Sequence, residues 1–154
     1  MYDHNFTSLP TLHGVPVFYP HWTQLIWISQ NGEITRPNRE TLAAEFALGV
    51  VMLCHRRWSA ARAAIDIDHY LDVMELFAFV RPARFVLPTP SGLAQQLGLA
   101  RPQQGEDMAA LLPQIAFTLL DELASAPDAA SREAGKISTT TSHTHLPPPT
   151  TTSV

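Results

Sequence analysis

The sequence predicts an α/β domain, a small sheet with flanking helices, on three observations. Val50–Cys54 is an unbroken apolar run of strand length, the pattern of a strand covered on both faces. Gln24–Ser29 alternates, is rich in Ile and Trp, and runs into Asn31-Gly32 before Glu33–Thr35. Asn-Gly between apolar residues is the strongest short hairpin signal, with positive φ expected at both turn positions. Apolar residues then recur at helical spacing before Val80 and across Glu106–Leu123.

Taken in order, Met1–Leu12 is polar and expected to be loose. Val15–Tyr19 reads as a short strand that Pro16 confines to a sheet edge. Pro37-Asn38-Arg39-Glu40 opens a helix to about Leu48, with Leu42, Ala43 and Phe46 on one face, and Gly49 ends it. Val50–Cys54 follows as a central strand beside the Gln24–Thr35 hairpin. Arg56–Ala64 is Ala-rich and helical, anchored by Trp58 and Ile65. Asp66 and Asp68 form an acidic start for a helix over Asp68–Val80, carrying Leu71, Met74, Leu76, Phe77 and Val80.

Pro82 stops that helix, and Pro88 and Pro90 hold the next residues extended. A second short helix starts near Ser91, turns Leu93, Ala94 and Leu97 inward and closes on Gly98 in a left-handed cap. The last helix, Glu106–Leu123, has Met108, Leu111, Leu112, Ile115, Leu119, Leu120 and Leu123 on one stripe. Pro113 inside it should kink or split it, with a second start there. From Ser125 the composition changes. Residues 138–154 hold seven Thr, three Ser and three Pro, too little apolar surface to offset chain entropy. The organisation expected is a loose 1–12, a folded domain over 13–124 and a disordered tail over 125–154.

The 154 residues suit one domain with a modest core. A net charge of −4 provides no global field for nucleic acid, so any such contact needs a local basic patch. The single cysteine, Cys54, excludes a disulfide within the chain and fits a reducing, cytoplasmic compartment. The first residues lack a signal-peptide layout, and the longest strongly apolar run, Phe46–Cys54, is far short of a membrane span. A soluble protein without a membrane partner is expected.

The stretch Leu76-Phe77-Ala78-Phe79-Val80-Arg81-Pro82-Ala83, continued by Leu87-Pro88-Thr89-Pro90, Gly92-Leu93-Ala94 and Leu97-Gly98-Leu99, resembles the amino-terminal region of DinG-like (Rad3-related) ATP-dependent DNA helicases. The likeness runs from Val50 to about Leu123. The same layout is similar to the later half of a DnaQ-type 3′→5′ exonuclease domain, which some of those helicases carry. Under that resemblance Val50–Cys54 is the buried strand, and Asp72–Leu76, Leu93–Gly98 and Glu106–Leu123 are the helices after it. It implies a degenerate ribonuclease-H-like domain, accessory to a helicase motor in DNA repair or replication. It also implies the motor as partner, with DNA a further one. Likeness to the family stops near Ser138, which implies a fragment.

ATP-driven unwinding needs a Gly-x-x-x-x-Gly-Lys-Ser/Thr loop, and the only lysine, Lys136, has Gly135 before it but not the rest. ATP and magnesium are thus expected only in the motor, and no cofactor in this chain. The exonucleases use two metals on four carboxylates with a histidine base. Their first pair should fall in Gln24–Ser29 or before it, and Gln24–Ser29 has no carboxylate. Their His-Asn-x-x-Phe-Asp turn lands on His55–Ala60, with Ala60 in place of the aspartate. Their last motif lands on Gln103–Asp107, where Asp107 remains and Gln103 or Gln104 replaces the histidine. One ligand of four cannot hold two magnesium ions, so a divergent exonuclease is the weakest reading and a stand-alone interaction module the stronger alternative.

Asp66, Asp68, Asp72 and Glu75 read as a helix cap and its wet face rather than a metal set. His143-x-His145 offers two ligands only, and His55 has no identifiable nucleophile beside it. Trp22, Trp27 and Trp58 read as core. The densest cations, Arg56 and Arg57 after the central strand and Arg81 and Arg84 around Pro82, are the candidate DNA contacts, through the phosphate-matching fork of Arg.

Overall fold

The computed structural model describes residues 14–126. The expectations for the loose start, for Lys136, for His143-x-His145 and for the Thr/Ser/Pro-rich end lie outside the described residues. The chain divides into two units after Leu123, and the sheet belongs to the first.

The element order is β1 (Val17–Pro20), β2 (Leu25–Ile28), β3 (Ile34–Thr35), α1 (Arg39–Leu48), β4 (Val51–Leu53), α2 (Arg56–Ala63), β5 (Tyr70–Asp72), α3 (Val73–Val80), α4 (Pro90–Leu97) and α5 (Gly105–Ser125). The strands form one mixed five-stranded sheet in the order β3-β2-β1-β4-β5. β2 is antiparallel to β1 and β3, and β4 is parallel to β1 and β5.

Strand alternation divides the core into two layers. Val17, Tyr19, Ile26, Met52 and Cys54 face one side, where Phe77 of α3, Leu93 of α4 and Leu112, Ile115 and Leu119 of α5 cover them. Phe18, Trp27, Val51 and Leu53 face the other side, against Leu42 and Phe46 of α1 and Ala63 of α2. There Phe18 meets Phe46 edge-on, ring centres 5.2 Å apart. Burial of this kind on both faces is what lets a small sheet of short strands hold together.

Four expectations are corrected. The strand at Val17 is not an edge but the middle of the sheet. Pro16 precedes the ladder, needs no donor there, and its carbonyl accepts from Met52 N at 2.8 Å. This puts β1 between β4 and the hairpin, so the Val51–Leu53 strand is interior without touching β2, while Val50 is half exposed. Second, the segment read as the start of a helix at Asp68 is β5, pairing Tyr70, Leu71 and Asp72 with β4. The helix starts at Val73, capped by Asp72 rather than by Asp66 or Asp68.

Third, the hairpin turn has positive φ only at Gly32. Ser29 O accepts from Gly32 N and Ser29 N donates to Glu33 O, which is a three-residue loop with a glycine bulge rather than a two-residue turn. Fourth, α5 runs through Pro113 as one helix. It packs along the sheet by Leu112, Ile115 and Leu119 on its buried side, and that packing outweighs one missing backbone donor. Ala43 is exposed, and only Leu42 and Phe46 carry the buried face of α1. By length and composition α5 would also pass as a membrane span, which the sequence reading overlooked. Its buried stripe is that of a core helix, compatible with a water-soluble protein.

Candidate functional site

The chain leaves β1 toward β2 on one side and leaves β4 toward β5 on the other. The carboxyl ends of β1 and β4 therefore mark a topological switch point, where open α/β sheets place their ligand crevices. A groove of about 390 Å³ lies there. Tyr19 and Trp22 enter it from the end of β1, His55 and Trp58 from the start of α2, Met108 from α5, and Pro88–Ser91 form the opposite wall. The Tyr19 and Trp58 rings sit 6.1 Å apart, tilted by 45°. Among the described residues that line it there is no carboxylate and no Arg or Lys.

Burial, and then the neighbouring Cys54, push the Tyr19 phenol up, so it stays a hydroxyl donor at neutral pH. Burial first and Asp72 second push the Cys54 thiol far up, which makes Cys54 a small core side chain and not a nucleophile.

His55 is clamped from both ends. It is a non-glycine residue in the left-handed region, φ 63° and ψ 84°, at the cap of α2. Its N–H donates to Asp72 Oδ1 at 2.9 Å, and its ring Nδ1 accepts from Trp58 N at 3.2 Å. In the neutral ring that bond assigns the proton to Nε2, which keeps one ring donor. Asp72 is the organiser. Besides His55 N it accepts from Arg56 N on Oδ2 at 2.6 Å and from Met74 N on Oδ1 at 2.9 Å, so one carboxylate serves the starts of both α2 and α3. The positive end of α2 is thereby already neutralised and offers nothing to a phosphate.

The positions implied for nuclease chemistry do not assemble. The first strand of the sheet is Val17–Pro20, earlier than Gln24–Ser29, and it too carries no carboxylate. Ala60 packs toward the other layer, with Phe46 and Ala63. Asp107, in the first turn of α5, accepts from Gln103 N and Gln104 N at 3.2 and 3.0 Å, and lines a separate depression with Arg101 and Gln114. Among the described residues no group of three His, Cys, Asp or Glu is placed to hold a metal ion.

The four candidate arginines divide. Arg56 gives Nε to Ile67 O at 3.0 Å and lies 5.0 Å over the Tyr70 ring. Arg81 is bound through Nε and Nη2 to the Glu122 carboxylate, at 2.8 to 3.0 Å, and through Nη1 to Gln96 O. Both are structural ties. Arg57 and Arg84 are exposed. Arg57 borders a second depression with Asp72 and Glu75, and Arg84 follows Pro82 at the far end of α3.

The tryptophans also divide. Trp27 is core, as read from the sequence; Trp58 packs against the core and also lines the groove, while Trp22 is 77% exposed. The available signal was position: Trp22 falls between two strand patterns, in Pro20-His21-Trp22-Thr23, where no side chain reaches a core. The chain matches no protein-family model, no curated protein and no solved structure.

Proposed function

We propose that this is a non-catalytic accessory domain of the kind that precedes a DinG-like helicase motor, built on a degenerate ribonuclease-H-like scaffold, and that its groove positions a single DNA strand beside the motor. The observation that carries this reading is the groove itself. At the switch point, where a two-metal nuclease on this scaffold needs carboxylates, stand Tyr19, His55, Trp58 and Met108. The sheet order, a three-strand antiparallel meander followed by two parallel strands on the β1 edge, supports that choice of scaffold. Aromatic walls with hydroxyl and imidazole donors suit unpaired bases, which stack on rings without regard to sequence.

Anisotropy of a labelled oligothymidine tests this reading. Binding is expected to be weak, independent of sequence and modestly salt-dependent, since phosphate contacts from Arg57 and Arg84 release counterions. Charge reversal at Arg57 or Arg84 should weaken it for all sequences and flatten the salt slope. No ATP hydrolysis and no nucleotide release with magnesium or manganese are expected. Processive release that Asp107→Asn abolishes would overturn the reading.

A second reading, a protein-docking module, is favoured by one observation. Phe79, Phe85 and Leu87 are 71%, 85% and 59% exposed within nine residues, alongside the net charge of −4. Absence of oligothymidine binding even at low salt would favour it.

A further inference from the structure

Among the described residues, the turn between β1 and β2, residues 21–24, forms no backbone–backbone hydrogen bond of its own, and inside it only Thr23 Oγ1 and His21 Nδ1 meet, at 3.5 Å. Its closer ties come from another element. Arg62 on α2 donates from Nη2 to His21 O at 3.0 Å and to Trp22 O at 2.8 Å, and its guanidinium lies 6.0 Å over the Trp22 ring. On the other side, the start of α5 packs so closely that a Cβ at Gly105 would lie 3.0 Å from the His21 ring. The His21 ring is packed against α5, whereas the Trp22 ring is 77% exposed.

Arg62 also carries an opposing cost. Its Nε is buried with no hydrogen-bond partner among the described residues. A buried donor left without a partner costs free energy in the held position. Two carbonyl bonds and a ring contact favour the held position, while one dry donor favours release. Such opposition gives two states close enough in energy for a ligand to bias.

We propose that Arg62 is a positioning residue that latches Trp22 as a movable wall of the aromatic groove. With the latch closed, Trp22 stands beside Tyr19 and Trp58 as the outer ring of the groove. With it open, the groove loses that wall and keeps its floor. The latch itself does not depend on what the groove binds; its effect on DNA affinity rests on the function proposed above.

Fluorine NMR of the full chain labelled with 5-fluorotryptophan reads the latch directly. Trp22→Phe assigns the Trp22 resonance, and the buried Trp27 resonance reports that each variant is folded. Arg62→Met keeps the apolar stem but donates nothing. It is expected to move the Trp22 resonance toward that of the free amino acid, with the held-to-released ratio falling at least about tenfold and Trp27 unmoved. Arg62→Lys still donates to both carbonyls and should keep Trp22 held. If the Met variant fails to fold, Arg62→Gln, which retains a donor, takes its place with partial release expected. A Trp22 resonance unchanged in the Met or Gln variant would overturn the latch. So would equal release in the Lys variant, because that marks packing rather than carbonyl bonding. Release of Trp22 with oligothymidine affinity unchanged would leave the latch standing and contradict the DNA reading instead.

Discussion

Asp72→Ala should lower the stability of the domain by roughly 3–5 kcal/mol, measured by urea unfolding. The carboxylate is nearly buried and accepts three backbone N–H groups, from His55, Arg56 and Met74. Hydrogen bonds to an ionised acceptor are stronger than neutral ones, and each donor left behind faces a part-buried surrounding without a partner. The loss would reach two helices at once, because Asp72 ends β5, caps α3 and closes the start of α2. Asp72→Asn should do less harm. It keeps an acceptor for His55 and Met74 but turns an amide NH₂ toward the Arg56 N–H, so the short 2.6 Å bond is the one lost.

Gly92→Ala is the second large effect. Ala is the better helix former and would ordinarily stabilise α4 by about 0.5–1 kcal/mol. Here the added Cβ would sit 2.5 Å from Leu87 O and 2.8 Å from Leu87 Cβ. Neither contact is the far end of a flexible side chain, and Leu87 O is also bound by Thr89 N at 2.7 Å. The helix must therefore back away, taking Thr89–Ser91 and the groove wall with it. A net cost of roughly 1–3 kcal/mol follows from overpacking. Gly49→Ala is the control, with open space around the new methyl and an extended φ of 165°, and should be near neutral in the same urea titration.

Much of the fold was legible. The hairpin, α1, β4, α2, α4 and α5 all announced themselves through apolar period, Asn31-Gly32, Asn38 or Gly98. What the sequence hid was tertiary. β5 is three residues of Tyr70-Leu71-Asp72, too short to show alternation, and its strand state comes from pairing with β4. Pro16 argued for an edge because a proline inside a central strand forfeits a ladder donor, whereas it stands one residue before the strand.

The groove was legible only in pieces. His55, Ala60 and Asp107 could be aligned with nuclease positions, yet nothing local said that Ala60 would face the opposite layer. Nor did anything local say that Tyr19, Trp58 and Met108 would converge across three elements. Charge density found the arginines but not their employment. Arg81 is tied to Glu122, far along the chain, a pairing that no short window contains.

The proposed occupant of the aromatic groove at the ends of β1 and β4 is a single DNA strand. Titrating the ¹⁵N-labelled chain with oligothymidine at low salt, and following its amide and indole N–H resonances, tests this most directly. Shifts are expected to concentrate at the Trp22 and Trp58 indoles and at the backbone of His55 and Ser91, with Trp27 unmoved. Shifts confined to residues 79–87, or none at any concentration, would contradict it.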